Sequence, residues 1–202
     1  MPIVVIPARM GSTRLPNKIT ANIHGTPMVI RVWQQACKAE IGRVLIAAGD
    51  QEICDLASQY GAESVLTDSN IPTGTDRVWQ ALEKLKDNTE EVILLQGDLP
   101  LINPGYLQKL AALLSRSEVD YATLATPITD GSKVHNPNRV KIAFTQLSPE
   151  LFKAVYFSRI PIPYNAKTYL EHVGIYGFKR KFLRQFVGWT RGTLEQQEQL
   201  EQ

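Results

Sequence analysis

The chain has 202 residues, 44% hydrophobic and 21% charged, a balance typical of a globular protein with one full-sized core. Its formal net charge is +2 and it contains no basic run, so we expect no nucleic-acid partner. It has no signal-peptide pattern and no apolar run long enough to span a bilayer, so we expect a cytoplasmic protein with no membrane partner.

Apolar runs of strand length alternate with helical patterns over residues 1–133. The predicted strands are PIVVIPA, RVLIAA, ESVLT, EEVILLQGD and DYATLATPI. The predicted helices are TPMVIRVWQQACKAE, with Thr26 as its cap and Pro27 in its first turn, DQEICDLASQYG, DRVWQALEKLK and NPGYLQKLAALLSR. This alternation predicts an α/β fold with a doubly wound, mainly parallel sheet, whose ligands bind beyond the carboxyl ends of the strands.

The pattern changes at about Val134. NRVKIAF, FKAVYFS and EHVGIYGFK read as extended segments, and KFLRQFV and TLEQQEQLEQ read as helices. We therefore expect a single domain, 1–202, in which an α/β part, 1–133, is followed by a β-rich excursion, 134–202, that covers the site.

The loop after the first strand carries Arg9, Arg14 and Lys18 around a Gly-Ser-Thr turn. It matches neither the dinucleotide fingerprint nor the ATPase phosphate loop. Small residues still let backbone N–H groups approach phosphate oxygens, and three cations suit a triphosphate. A solvated basic loop is the alternative interpretation.

Two further loops fall at the same predicted edge of the sheet. In LLQGDLPL, Gly97 permits a close approach and Asp98 leaves an apolar strand, where a carboxylate can hold Mg²⁺ against phosphate oxygens. In TGTDR, Gly74 and Thr75 stand at a helix N-terminus, which attracts anions. Capping or turn roles are the alternatives for both loops.

Seven segments occur in an order that closely resembles the 3-deoxy-manno-octulosonate (Kdo) cytidylyltransferase family, over essentially the whole chain. They are IPARMGSTRLPNK, PTGTDR, LLQGDLPLI, NPNRVK, YFSRIPIPY, HVGIYGF and LEQQEQLEQ. The resemblance implies a nucleotide-diphospho-sugar transferase-like fold and transfer of CMP from CTP to the anomeric hydroxyl of Kdo, for lipopolysaccharide biosynthesis. It also implies Mg²⁺ as cofactor, CTP and Kdo as ligands, and a homodimer.

The resemblance also assigns roles to individual residues. The expected catalytic residues are Arg9, Lys18 and Asp98, with Asp98 also the metal ligand. The expected nucleotide-binding residues are Ala8, Arg9, Ser12, Thr13, Arg14, Lys18, Thr75 and Arg77. The expected sugar-binding residues are Gln96, Arg159, His172, Tyr176, Glu195 and Gln196, with Arg159 able to pair bidentately with the carboxylate of a keto-acid sugar.

The sequence departs from the family pattern in three ways that bear on activity, one of which is Leu99, at a position where an acidic residue often follows the aspartate. After the second strand the family usually reads Ala-Thr-Asp, whereas this chain has Ala48, Gly49 and Asp50. The family also continues past the position of Gln202 with a strand and helix that carry a second magnesium-binding aspartate. We therefore keep two alternatives, a cytidylyltransferase for another acidic sugar (amino-Kdo or sialic-acid-like) and a shortened, non-catalytic relative.

Overall fold

A computed structural model of the chain describes residues 1–11 and 15–201. The strands are β1 (Ile3–Ala8), β2 (Asn22–Ile23), β3 (Thr26–Pro27), β4 (Arg43–Ala48), β5 (Ser64–Leu66), β6 (Glu91–Leu95), β7 (Tyr121–Pro127), β8 (Lys141–Ser148), β9 (Leu151–Ser158) and β10 (Leu170–Lys179). The helices are α1 (Met28–Cys37), α2 (Gln51–Gln59), α3 (Gly74–Leu85), α4 (Pro104–Leu114), α5 (Arg180–Gly188) and α6 (Thr193–Glu198). Short 3₁₀ turns lie at Lys18–Thr20 and Gly131–Lys133.

The chain forms two compact units. The first unit comprises Met1–Ala122 and Ile175–Trp189, and the second comprises Thr123–Gly174 and Thr190–Gln202. These units do not follow the predicted division at residue 134, because the chain returns to the first unit in the second half of β10. That the whole chain behaves as one domain stays a prediction.

The sheet of the first unit is mainly parallel, as predicted. Its strands run in the order β5, β4, β1, β6, all parallel to their neighbours, and the second half of β10 pairs antiparallel with β6. Every residue of β1 is buried, because a central strand covered by helices on both faces has no solvent-facing side. The carboxyl ends of β1, β4 and β6 therefore lie along one edge of the sheet.

The start of α1 differs from the prediction. Thr26 is not the helix cap, because Thr26 and Pro27 pair as β3 with β2 in a short hairpin, and the helix begins at Met28. The hairpin turns at His24 and Gly25, both with positive φ, and the side chain of Asn22 accepts a hydrogen bond from the N–H of Gly25. A threonine–proline pair satisfies the rule for a helix start equally well, so capping preference alone favoured the wrong boundary.

The second unit contains the predicted β-rich excursion. The antiparallel partners β8 and β9 place Ile142 opposite Phe157, and the first half of β10 pairs Leu170 with Ile142. The predicted C-terminal helices are present as α5, in the first unit, and α6, in the second. That this excursion covers a site stays a prediction.

Candidate active site

The opening loop starts at the carboxyl end of β1, where it is tied to the loop after β4. Ala8 is buried, and its carbonyl accepts a hydrogen bond from the N–H of Gly49 at 2.8 Å. Arg9 is exposed. The N–H of Met10 donates to Oδ2 of Asp50 at 2.8 Å. These two bonds, made by the residues on either side of Arg9, fix where the loop leaves the sheet.

Lys18 and Asp98 form an ion pair. Nζ of Lys18 lies 2.5 Å from Oδ2 of Asp98, and 30% and 41% of the two side chains are exposed. The two loops come this close beside Gly97, where a Cβ would lie 3.1 Å from the carbonyl oxygen of Pro7 and 3.1 Å from Cδ1 of Ile19. The structure thus places the predicted phosphate-binding lysine directly beside the predicted metal ligand.

Arg77 is a buried cation at the same edge. Its Nη1 donates to Oγ1 of Thr67 at 2.5 Å and to the carbonyl of Asp68 at 3.0 Å. Its Nη2 is buried and has no hydrogen-bond partner in the part of the chain that the structure describes. Burial lowers the pKa of the Arg77 guanidinium below its usual value, and the positive charge of Arg9 lowers it further. A buried donor without a partner is costly, so this N–H group is well placed to receive a ligand acceptor.

Gly49 makes room for the two arginines. A Cβ at this position would lie 2.6 Å from Nη1 of Arg77 and 3.1 Å from Cβ of Arg9. A side chain at this position would require the Arg77 guanidinium to move from its present position. The positive charge of Arg9 acts on the Arg77 guanidinium, and two like charges within reach of each other favour an anion beside them.

Thr75 and Gln96 complete the predicted residues of this edge. Thr75 is buried in the first turn of α3, whose cap is Thr73: Oγ1 of Thr73 accepts from the N–H of Asp76 at 3.0 Å. The capping role considered for this loop is therefore present. Gln96 follows β6, and its Nε2 lies 3.8 Å from the point where a Cβ of Gly74 would stand. Three of the predicted nucleotide-binding residues lie outside the described residues: Ser12, Thr13 and Arg14.

The donor set at Asp98 fits Mg²⁺ only in company with a phosphate ligand. Among residues 1–11 and 15–201 there is no group of three or more His, Cys, Asp or Glu side chains that would hold a metal alone. Mg²⁺ in nucleotide sites commonly takes one or two carboxylates and completes its shell with phosphate oxygens and water. One carboxylate beside a cationic loop matches a magnesium site whose shell is completed by phosphate oxygens and water.

Arg159, the predicted reader of the sugar carboxylate, is held by backbone carbonyls of the second unit. Its Nε donates to the carbonyl of Glu198 at 2.7 Å, its Nη1 to that of Pro137 at 3.1 Å, and its Nη2 to that of Gln199 at 3.2 Å. A guanidinium has five N–H groups. These bonds use three of them and orient the group.

His172 packs inside the second unit. Its Nε2 lies 2.9 Å from Oγ1 of Thr123, and its ring meets the ring of Phe157 edge-on at 5.2 Å between centroids. Burial lowers the pKa of His172 from 6.5 to about 4. The imidazole is therefore neutral at physiological pH. Its predicted sugar contact stays a prediction.

The other predicted sugar residues occupy two settings. Tyr176 lies in the core of the first unit, with its ring stacked 6.3 Å from that of Tyr121. On α6, Glu195 lies 3.7 Å from Nε of Arg191, and Gln196 is exposed and donates to the carbonyl of Arg191 at 3.0 Å. The sugar-binding roles of Tyr176, Glu195 and Gln196 stay predictions.

Two charged residues that the sequence analysis did not single out organise the second unit. The ammonium of Lys141 is wholly buried and donates to the carbonyls of Asn136, Arg139 and Arg159. Glu198 accepts hydrogen bonds from two side chains of β9, Tyr156 and Ser158, and from the backbone N–H of Arg159. For Lys141 the sequence pattern pointed the wrong way, because alternation with Val140 and Ile142 as apolar positions places the lysine on the opposite, polar face of the strand. For Glu198 the sequence carries no signal.

A model of the cytidylyltransferase family matches residues 3–202. A 3-deoxy-manno-octulosonate cytidylyltransferase of Paramagnetospirillum magneticum is 42% identical over 100% of this chain and 83% of the relative. The chain belongs to the 3-deoxy-manno-octulosonate cytidylyltransferase family. A family member from Parvibaculum lavamentivorans is also 42% identical, over 100% of this chain and 79% of its own length.

Solved structures agree with this family assignment. A CMP:2-keto-3-deoxy-manno-octonic acid synthetase complexed with CTP has a TM-score of 0.90 and 32% identity, covering 99% of this chain and 83% of its own. A cytidylyltransferase from Leptospira borgpetersenii has a TM-score of 0.61 at 17% identity, covering 96% of this chain and 66% of its own, and shows the fold alone. The family resemblance and the nucleotidyltransferase fold predicted from the sequence are both confirmed.

Proposed function

We propose that this chain is a CTP-dependent sugar nucleotidyltransferase that transfers CMP from CTP to the anomeric hydroxyl of Kdo and releases pyrophosphate. The observation that carries the proposal is the ion pair between Lys18 and Asp98 beside the opening loop, in a chain of the Kdo cytidylyltransferase family. A cation that can move to phosphate and a carboxylate that can move to metal are the two groups that a triphosphate substrate needs.

The nucleotide side of the reaction requires positioning and charge neutralisation. We place the triphosphate along the opening loop, with Arg9 and Lys18 against the oxygens of the leaving pyrophosphate, where negative charge builds up as the bond to the α-phosphorus breaks. The attacking hydroxyl then approaches in line, and the protein supplies no nucleophile. We place a nucleotide acceptor against Nη2 of Arg77, because this buried donor has no partner among the described residues.

Asp98 is the residue that we propose to hold Mg²⁺, together with phosphate oxygens of the bound nucleotide. When bound, the metal would neutralise phosphate charge and favour ionisation of the attacking hydroxyl. Before the nucleotide arrives, Lys18 is the counterion of Asp98. It therefore keeps the carboxylate compensated until both charges exchange partners.

The acidic-sugar side of the proposal depends on Arg159. Its described bonds leave one N–H on each terminal nitrogen for a ligand. Two such groups suit a planar carboxylate, which Kdo and other keto-acid sugars share. Neutral His172 supplies a hydrogen-bonding ring rather than a charge.

Two measurements test the proposal. In a thermal-shift assay with Mg²⁺, we expect CTP to raise the melting temperature more than ATP or GTP, and equal shifts would refute the cytidylyl assignment. In a pyrophosphate-release assay with CTP, we expect a signal with Kdo that exceeds the signals with sialic acid and amino-Kdo. A larger signal with either of those two sugars would replace Kdo as the substrate.

The location and assembly of the protein stay predictions. Among the described residues, none of the helices is both long and apolar enough to cross a bilayer. The homodimer expected from the family resemblance is checked directly by the mass of the native protein in solution.

A further inference from the structure

The carboxylate of Glu198 receives hydrogen bonds from three residues at one end of β9. Its Oε1 accepts from the hydroxyl of Tyr156 at 3.2 Å and from Oγ of Ser158 at 2.8 Å. Its Oε2 accepts from the backbone N–H of Arg159 at 2.9 Å. Phe157, between Tyr156 and Ser158, points to the opposite face of the strand, where it meets His172. Both carboxylate oxygens of Glu198 therefore accept hydrogen bonds from the segment 156–159.

The same glutamate also holds the Arg159 side chain through its main chain. The carbonyl of Glu198 accepts from Nε of Arg159 at 2.7 Å, and the carbonyl of the next residue, Gln199, accepts from Nη2 at 3.2 Å. Glu198 thus bonds Arg159 at its backbone and at its guanidinium. Because the side chain is held at both ends, it cannot sample other rotamers without breaking these contacts.

A buried lysine adds charge to this cluster. The ammonium of Lys141 donates to the carbonyl of Arg159 and lies in the interior of the second unit. Burial lowers the pKa of Lys141, Arg159 lowers it further, and the negative charges of Glu171 and Glu198 oppose that change. Two cations that share one backbone segment need an anion nearby. Glu198 supplies it.

The ionisation of Glu198 fits this arrangement. Burial disfavours its charged form, but the hydrogen bonds from Arg159, Ser158 and Tyr156 outweigh burial and lower the pKa of the carboxyl below its ordinary value. Glu198 is therefore an anion near neutral pH, with its lone pairs directed at protein donors. Three of its roughly four acceptor positions are used by groups of the protein itself.

We infer that Glu198 is a positioning residue for the acidic sugar, which acts by fixing Arg159 in the orientation that receives the sugar carboxylate. This inference rests on the proposed function and names a residue that the sequence analysis did not assign. A preorganised guanidinium loses little conformational entropy on binding, whereas a free one must be ordered by the ligand. Sugar affinity, and not nucleotide affinity, should therefore depend on Glu198.

The test compares Glu198→Gln with the parent chain and with Gln197→Ala, a matched control on the exposed face of α6. Kdo binding is measured by titration calorimetry with the α,β-methylene analogue of CTP and Mg²⁺ present, so that no turnover occurs. We expect Glu198→Gln to weaken Kdo binding by about tenfold, the scale of one charge-assisted hydrogen bond. Binding of the CTP analogue should stay within about twofold of the parent in both variants.

Two single-donor variants keep the inference open to refutation if Glu198→Gln fails to fold. Tyr156→Phe and Ser158→Ala each remove one donor and leave the carboxylate in place, and we expect about two- to threefold weaker Kdo binding for each. Unchanged Kdo affinity in folded Glu198→Gln, or in both single-donor variants, would overturn the inference. An equal loss of CTP-analogue affinity would show a structural role alone. A parent chain that binds the CTP analogue but no acidic sugar would overturn the proposed substrate as well.

Discussion

Replacing Asp98 by asparagine should strengthen CTP binding in the absence of metal and weaken it in the presence of Mg²⁺. The change keeps the shape of the side chain and removes its charge. In the parent protein, metal-free CTP must draw Lys18 away from Asp98, which lies 2.5 Å away, and must then face an uncompensated carboxylate. The variant removes both costs, but it also removes the group that we propose to hold Mg²⁺.

The magnitude follows from the geometry of the pair. Two unit charges about 2.5 Å apart attract by roughly 1.7 kcal/mol in a medium with the dielectric constant of water. The pair is 30% and 41% exposed, and measured exposed pairs contribute about 0.2–1 kcal/mol. We therefore expect metal-free CTP to bind up to about fivefold more tightly to Asp98→Asn than to the parent.

The assay is titration calorimetry of CTP against each protein in EDTA and again in Mg²⁺. Asp55→Asn, an exposed aspartate on α2, is the matched control and should change neither affinity. Lys18→Gln should weaken CTP binding in both buffers, because it removes a charge that we propose to bind phosphate. Metal-free affinity that is unchanged or lower in Asp98→Asn would refute the exchange of partners between Lys18 and Asp98.

Three further predictions follow from the site. Gly49→Ala should push the Arg77 guanidinium out of place and lower the free energy of unfolding by about 1–3 kcal/mol, measured by urea denaturation, because buried charged hydrogen bonds are lost. Arg159→Leu should raise the KM for Kdo by the equivalent of roughly 2–5 kcal/mol while the KM for CTP changes little. His172→Gln should reduce the dependence of the free energy of unfolding on pH below about pH 6.5. The folded pKa of about 4 lies below the ordinary 6.5, so the stability held above pH 6.5 falls by roughly 3 kcal/mol as the pH drops to 4.

Each of these changes has a matched control on the surface. Gly188→Ala adds a methyl group where a Cβ meets nothing within 4 Å, and equal destabilisation by both glycine variants would contradict the collision at Gly49. Arg116→Leu removes an exposed arginine and should leave both KM values unchanged. His135 is exposed, and His135→Gln is the control for His172→Gln. If both variants reduced the pH dependence of the unfolding free energy equally, His172 would be excluded as its cause.

The order of elements was predictable because local patterns determine it. The wholly apolar run at Ile3–Ala8 can only be a strand with both faces covered, and the structure buries every residue of it. The start of α1 was not predictable in the same way. Thr26 satisfies the rules for a cap, and its pairing with Ile23 depends on a turn through Gly25 whose positive φ is not visible in the helix pattern.

The placement of Asp98 and Lys18 at one edge of the sheet was predictable from the sequence, but their pairing was not. Asp98 follows β6 and Lys18 belongs to the loop that follows β1, and β1 and β6 are neighbours in the sheet. That Asp98 and Lys18 bond to each other across a separation of 80 residues depends on the close approach at Gly97. The bonds of Glu198 were even less predictable. Its partners lie about forty residues earlier, and nothing in the sequence of α6 marks an inward-facing carboxylate.

Chemical labelling of Lys141 can also measure local opening of the second unit. An amine-reactive reagent modifies exposed lysines such as Lys153 and Lys167 at once, but it reaches the Lys141 amine only when the surrounding segment opens and releases the three carbonyls. The modification rate of the Lys141 amine is measured by peptide mass and compared with the rates of the two exposed lysines. It therefore reports how often that part of the molecule opens under native conditions.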